Sequence, residues 1–167
     1  VAMAVSAIRL AENKVLLHDM KSIETLARVN VLCVDKTGTI TKNEMEVSGV
    51  KNVSSELSNE ELHGLLGDFV LALDADNITM KALKEYFDKN TGRVCKNKFG
   101  FSSTYKYSAC EFEDANYILG APEFVLRDDY ENYREYVEKH SENGERVVVL
   151  AKYDGVLTGK TLDSKAN

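Results

Sequence analysis

The sequence predicts an α+β chain, an antiparallel sheet flanked by helices, preceded by an incomplete α/β segment. Three observations carry this. Between residues 59 and 87, apolar residues recur at helical spacing. From about 101 onward the pattern changes to short β-prone runs separated by turn signals. Ahead of both, Val29, Val31, Leu32, Cys33 and Val34 form a nearly continuous apolar run ending at Asp35, as expected of a buried parallel strand.

Taken in order, residues 1 to about 13 read as a helix, and Val15 to Leu17 as a short strand. Ser22 is a reasonable N-cap for a helical turn running to Arg28. The apolar strand follows, and Met45 to Val53 reads as extended chain leading outward. Leu62, Leu65, Leu66, Phe69, Val70 and Leu73 define one amphipathic helix. Met80, Leu83, Tyr86 and Phe87 define a second, within residues 76–87. Thr104 to Phe112 and Tyr117 to Leu119 make a hairpin about Glu113-Asp114-Ala115-Asn116. Pro122 suits the first turn of a short helix. Tyr130 to Ser141 is a charged helix that ends near Gly144. Arg146 to Tyr153 is strongly β-prone, and Asp154-Gly155 offers a turn into Val156 to Thr158. Residues 1–50 and 51–167 therefore read as two parts, the second a complete α+β domain.

Composition narrows the function. The chain has 167 residues, 44% hydrophobic and 29% charged, enough for one good core. Its net charge of −6, with no basic block, argues against nucleic acid as a partner. Cys33, Cys95 and Cys110 lack metal-ligand spacing and fit a reducing, cytoplasmic compartment. No apolar run reaches the roughly 20 residues of a membrane span. The apolar start, Val1 to Ile8, reads either as a plain amphipathic helix or as the last turns of a longer hydrophobic one.

The most informative stretch is Asp35-Lys-Thr-Gly-Thr-Ile-Thr41. It sets a carboxylate at the carboxyl end of the predicted strand, where open α/β sheets place their ligands. A carboxylate there can attack phosphorus and form an aspartyl-phosphate. Lys36 offsets phosphoryl charge, Thr37 and Thr39 supply hydroxyl donors, and Gly38 lets backbone amides close on the oxygens. A lone Asp-Lys pair would more often only cap a turn; seven such residues in this order point to chemistry.

This segment resembles the phosphorylation signature of the P-type ATPases, ion pumps of the haloacid dehalogenase superfamily. Simple phosphatases of that superfamily carry a second aspartate two residues after the nucleophile, where this chain has Thr37. Without that acid/base an aspartyl-phosphate persists, as a pump requires. The resemblance continues along the chain. Residues 1–50 look like the end of a membrane-helix stalk and the first part of the phosphorylation domain. Residues 51–167 look like the nucleotide-binding domain inserted after it.

The family resemblance implies a role for each matching residue. Phe101, opening Phe-Ser-Ser-Thr-Tyr-Lys106, would stack on adenine, with Lys106 reaching toward the nucleotide. Gly120-Ala-Pro-Glu123 resembles the segment beside the adenine pocket, and Arg146 the arginine that approaches the phosphates. Taken singly, Phe101 reads as core, Lys106 as a solvated strand residue and Arg146 as a surface ion pair; their order reverses that. Two positions depart from the pattern. Leu119 stands where a lysine usually precedes Gly-Ala-Pro-Glu, a variant seen in bacterial members resembling calcium pumps. Met80 stands at the adenine-facing glutamate and cannot accept the amino hydrogen bond.

The implied cofactors are ATP and Mg²⁺, the latter ligated by Asp35 and the Thr37 carbonyl. The implied partners are the remaining phosphorylation, actuator and transmembrane domains of a parent pump in the plasma membrane. The chain itself would lie on the cytoplasmic side. Because the strings that complete the magnesium site are not in this sequence, it is expected to bind nucleotide with little self-phosphorylation.

Overall fold

A computed structural model of the chain describes residues 2–159, with the side chain of Thr37 also outside the described set. Val1 of the expected first helix and residues 160–167 of the expected second domain lie outside the described residues. The chain divides into two compact units, Val1–Asn43 and Glu44–Asn167.

The first unit holds helices α1 (Ala2–Glu12) and α2 (Lys21–Leu26). It then runs without regular structure to a single π-turn at Lys36–Ile40. The sequence predicts a strand over Val29–Asp35; the structure has none there, nor at Val15–Leu17. Val31 and Leu32 are 71% and 80% exposed. The reason is the ladder. A parallel strand satisfies its backbone groups only between neighbouring strands, and among the described residues of this unit no strand pairs with it.

The second unit is α+β. Helices α3 (Asn59–Ala72) and α4 (Ile78–Tyr86) precede strands β1 (Asn97–Phe99), β2 (Tyr107–Glu111) and β3 (Asn116–Gly120). Helix α5 (Pro122–Val125), a 3₁₀ stretch at Arg127–Asn132, helix α6 (Arg134–Glu142) and strand β4 (Val149–Tyr153) follow. The four strands form one antiparallel sheet in the order β1-β2-β3-β4. Residues 156–158 add no further strand.

Local sequence explains the helix starts. Ser58 and Glu61 form a capping box on α3, each side chain bonding the other's backbone N–H. That bonding also holds the Glu61 carboxyl below its usual range, chiefly through the Ser58 N–H. The Asn77 carboxamide oxygen accepts the Met80 N–H at 2.9 Å and caps α4.

The period-two alternation of the sheet feeds two cores. Cys110, Phe112, Tyr117 and Leu119 face α3 and α4, packing with Leu65, Phe69, Val70, Met80 and Leu83. Tyr107, Ala109, Ile118, Ala151 and Tyr153 face the other way, with Val125 of α5. The Glu44–Asn52 approach also joins the first core, through Val47.

One polar anchor is buried in this unit. Asp68 of α3, 3% exposed, accepts the Thr91 and Gly92 N–H groups at 2.9 and 3.0 Å and the Thr91 hydroxyl. It thereby binds the segment that returns from α4 to the sheet. Gly67 allows that segment to approach: a Cβ there would lie 1.7 Å from the Lys89 carbonyl oxygen.

Candidate functional site

The first candidate group is the turn after Asp35. Asp35 is extended (φ −68°, ψ 144°) and its carboxylate makes no capping hydrogen bond to the turn. The turn closes through the Thr41 N–H, which donates to the Lys36 carbonyl at 3.1 Å, as does the Thr41 hydroxyl. Gly38 takes φ +73°, a conformation that side chains oppose. Asp35, Lys36 and Thr39 are exposed. The geometry is therefore an uncommitted carboxylate beside a lysine, at the lip of a backbone turn.

The second group lies in the other unit, where three segments converge. Phe101, 45% exposed, opens a loop in which the Lys106 N–H donates to the Ser102 carbonyl at 2.7 Å. Lys106 itself has φ 59°, and its carbonyl accepts the Ala121 N–H at 3.0 Å. This seats the loop against Gly120, where a Cβ would fall 2.4 Å from the Lys106 carbonyl oxygen. Gly120 is thus required for close backbone approach at the strand end. On the loop's other side, a Cβ at Gly100 would be 3.9 Å from Asp76 Oδ2, which puts the loop beside the start of α4. There the Arg146 Nη1 donates to the Thr79 hydroxyl at 2.9 Å.

The β1–β2 loop thus meets the end of β3 at Lys106 and the start of α4 at Gly100, and Arg146 meets the first turn of α4. Lys106 and Arg146 are exposed, and among the described residues neither has a carboxylate partner. An exposed aromatic face with two cations suits a base followed by phosphates. Met80 and Leu119 stand differently. They are 4% and 6% exposed and belong to the same apolar core.

The donors expected for Mg²⁺ are the Asp35 carboxylate and the Thr37 carbonyl. Two oxygens do not meet the near-octahedral demand of this ion. Among the described residues no group of three or more His, Cys, Asp or Glu side chains gathers as a metal cluster. A surface depression of about 390 Å³ does occur, between Lys96, Glu113, Asp114 and Lys152 at the turn of the β2–β3 hairpin. It includes none of Phe101, Lys106 and Arg146.

Asp68 is the buried polar residue that sequence reasoning passed over. Its signal was there to use: an aspartate between Leu66 and Phe69, inside the apolar stripe of α3. Charged groups in such a stripe are paired, and this one organises residues 91–92.

The comparisons with known proteins run along most of the chain. Over 147 residues it is 36% identical to the probable cation-transporting ATPase exp7 of Streptococcus pneumoniae, covering 87% of this chain and 18% of that protein. Over 152 residues it is 34% identical to the calcium-transporting ATPase CtpE of Mycobacterium tuberculosis, covering 90% of this chain and 19% of that one. Plasma membrane ATPase 1 of Saccharomyces cerevisiae is 31% identical over 179 residues, covering 92% of this chain and 19% of its own length. The chain thus spans about a fifth of the length of these relatives. No family model matches it, and no solved structure matches it. No helix among the described residues is long and apolar enough to cross a membrane. With pumps of this one kind aligned along nearly all of its length, the chain belongs to the P-type cation-transporting ATPases.

Proposed function

We propose that this chain supplies the nucleotide-binding domain and the phosphorylation motif of a cation pump. The parent would transfer the γ-phosphoryl group of ATP to Asp35 and use the aspartyl-phosphate to drive ion movement. Lys36 would offset charge on the transferred group. The observation that supports the reading is that the loop from Gly100 to Lys106 lies beside the start of α4, where Arg146 donates to Thr79, with Lys106 and Arg146 free of carboxylates among the described residues. The free carboxylate of Asp35 supports the other half, because a turn-capping aspartate would be engaged. Calcium is the favoured cargo, since the name of the Mycobacterium tuberculosis relative and the Leu119 variant lean that way.

Acting alone, the chain is a nucleotide-binding module without turnover, because the magnesium donors are incomplete. Its affinity should be in the high micromolar to millimolar range, about 4–6 kcal/mol. The test of the catalytic half uses the full-length protein that contains this chain. With γ-labelled ATP it should trap an acid-stable, hydroxylamine-labile phosphoenzyme that disappears in Asp35→Asn. Persistent label in Asp35→Asn would refute Asp35 as the nucleophile. Rapid hydrolysis of generic phosphate esters would favour a phosphatase instead.

A further inference from the structure

The turn that carries Lys106 is closed by one residue, Ser102. Its N–H donates to the Tyr107 carbonyl at 3.1 Å. Its carbonyl accepts the Lys106 N–H at 2.7 Å, and its hydroxyl oxygen accepts the Tyr105 N–H at 3.2 Å. Ser102 and Tyr105 are half-buried, and Tyr105 packs against the second core. Lys106 is held from its other side as well, because its carbonyl accepts the Ala121 N–H at 3.0 Å. Between those two bonds its backbone takes φ 59°, a left-handed conformation that a Cβ opposes. A lysine stays in such a conformation only where its surroundings over-determine it. The side chain carried on this fixed backbone is exposed.

We propose that Ser102 is a positioning residue for phosphate recognition: its hydroxyl fixes the turn that holds Lys106 in the left-handed conformation, so that the ammonium meets a nucleotide phosphate with little left to order. This role rests on the nucleotide-binding reading, and names the group that sets the lysine's direction. The backbone angles of residue 106 decide where its Cα–Cβ bond points. With the N–H and the carbonyl of Lys106 both bonded, that bond cannot swing, and only side-chain rotation remains to be lost on binding. The two backbone bonds of Ser102 survive a change of its side chain; the bond from the Tyr105 N–H does not. Without the hydroxyl, that N–H loses its acceptor, the turn loosens, and residue 106 relaxes toward negative φ. Phe101 precedes the bonded turn, which begins at Ser102, so its ring keeps its place.

The test titrates the whole chain with ATP and with adenosine, followed by amide shifts. Ser102→Ala should weaken ATP binding roughly 2- to 10-fold, the ordering of one long side chain, while adenosine, which has no phosphate, binds as it does to wild type. Ser102→Thr keeps the hydroxyl and should restore ATP affinity. In a Lys106→Met background, Ser102→Ala should cost ATP binding nothing further, because residue 102 acts through residue 106. Amide hydrogen exchange at Tyr105 and Lys106 should also quicken in Ser102→Ala, with the urea midpoint unchanged. Equal ATP affinity in wild type and Ser102→Ala, or the same loss in the Lys106→Met background, overturns the positioning role and leaves the nucleotide reading standing. Adenosine lost in parallel with ATP marks a general collapse of the loop and overturns it too. A wild-type chain that binds neither ligand overturns the nucleotide reading and the positioning role with it.

Discussion

Replacing Asp68 by alanine should cost the second unit about 3 kcal/mol. The carboxylate is buried and receives three hydrogen bonds, from the Thr91 N–H, the Gly92 N–H and the Thr91 hydroxyl. Bonds to a charged acceptor are worth roughly 1.5–3 kcal/mol each when nothing replaces them. Here Thr91 and Gly92 are exposed, so water recovers part of each bond and about 1 kcal/mol per bond remains. Arg93 contributes little to the loss. Its Nε is 3.9 Å from Asp68, and its Nη1 keeps Asp114 at 2.6 Å. Asparagine keeps one acceptor oxygen for the two N–H groups and offers its amide to the Thr91 hydroxyl, so Asp68→Asn should lose only about 1 kcal/mol. Urea unfolding followed by far-ultraviolet circular dichroism measures both, with the m-value unchanged. An Asp68→Ala variant within about 0.5 kcal/mol of wild type would refute the reasoning, since that is the range of an ordinary surface change.

Other expectations follow from the same geometry. Gly67→Ala should destabilise by about 3 kcal/mol, because its Cβ would fall 1.7 Å from the Lys89 carbonyl oxygen and the backbone must move; a midpoint equal to wild type in urea would contradict this. Met80→Glu should lower stability by about 3 kcal/mol, since the position is 4% exposed among apolar side chains; unchanged stability with tighter ATP binding would show that residue 80 reaches the ligand. The Glu145 carboxyl is held below its ordinary value of 4.5, first by the His140 ring and then by Ser48. Because its folded value is depressed, its contribution is present above pH 4.5 and is lost as pH falls below that. Unfolding midpoints between pH 6 and about 3 should therefore fall less steeply in Glu145→Gln than in wild type; identical slopes would sink the claim.

Much of the second unit was legible because local signals agreed there. The apolar spacing from Leu62 to Leu73 and the alternation from Tyr107 to Leu119 each match one face of a layered fold. Other features depended on information outside the local pattern. Strand β1 is only Asn97-Lys-Phe99, too short and polar to show a period, and it exists because β2 offers an edge. The run Val29 to Val34 carries a strong strand pattern, yet a strand forms only where neighbours complete its hydrogen bonds. The order of Phe101, Lys106, Gly120 and Arg146 along the chain suggested one site. The structure adds a long-range pairing, Arg146 to Thr79, that no spacing encodes. Gly120 also has a packing reason for being glycine, its contact with the Lys106 carbonyl, which the motif alone did not reveal.

The most direct test of the central claim is an amide-shift titration of this chain with ATP and then AMP, in wild type and Phe101→Ala. The account predicts shifts clustered on residues near 101, 106, 120 and 146, with similar affinities for the two nucleotides. Affinity should fall roughly 5- to 150-fold in Phe101→Ala, the loss of about 1–3 kcal/mol of base stacking, with unchanged stability. Shifts that fail to appear at several millimolar, or that gather at the hairpin depression around Lys96 and Lys152, would contradict it.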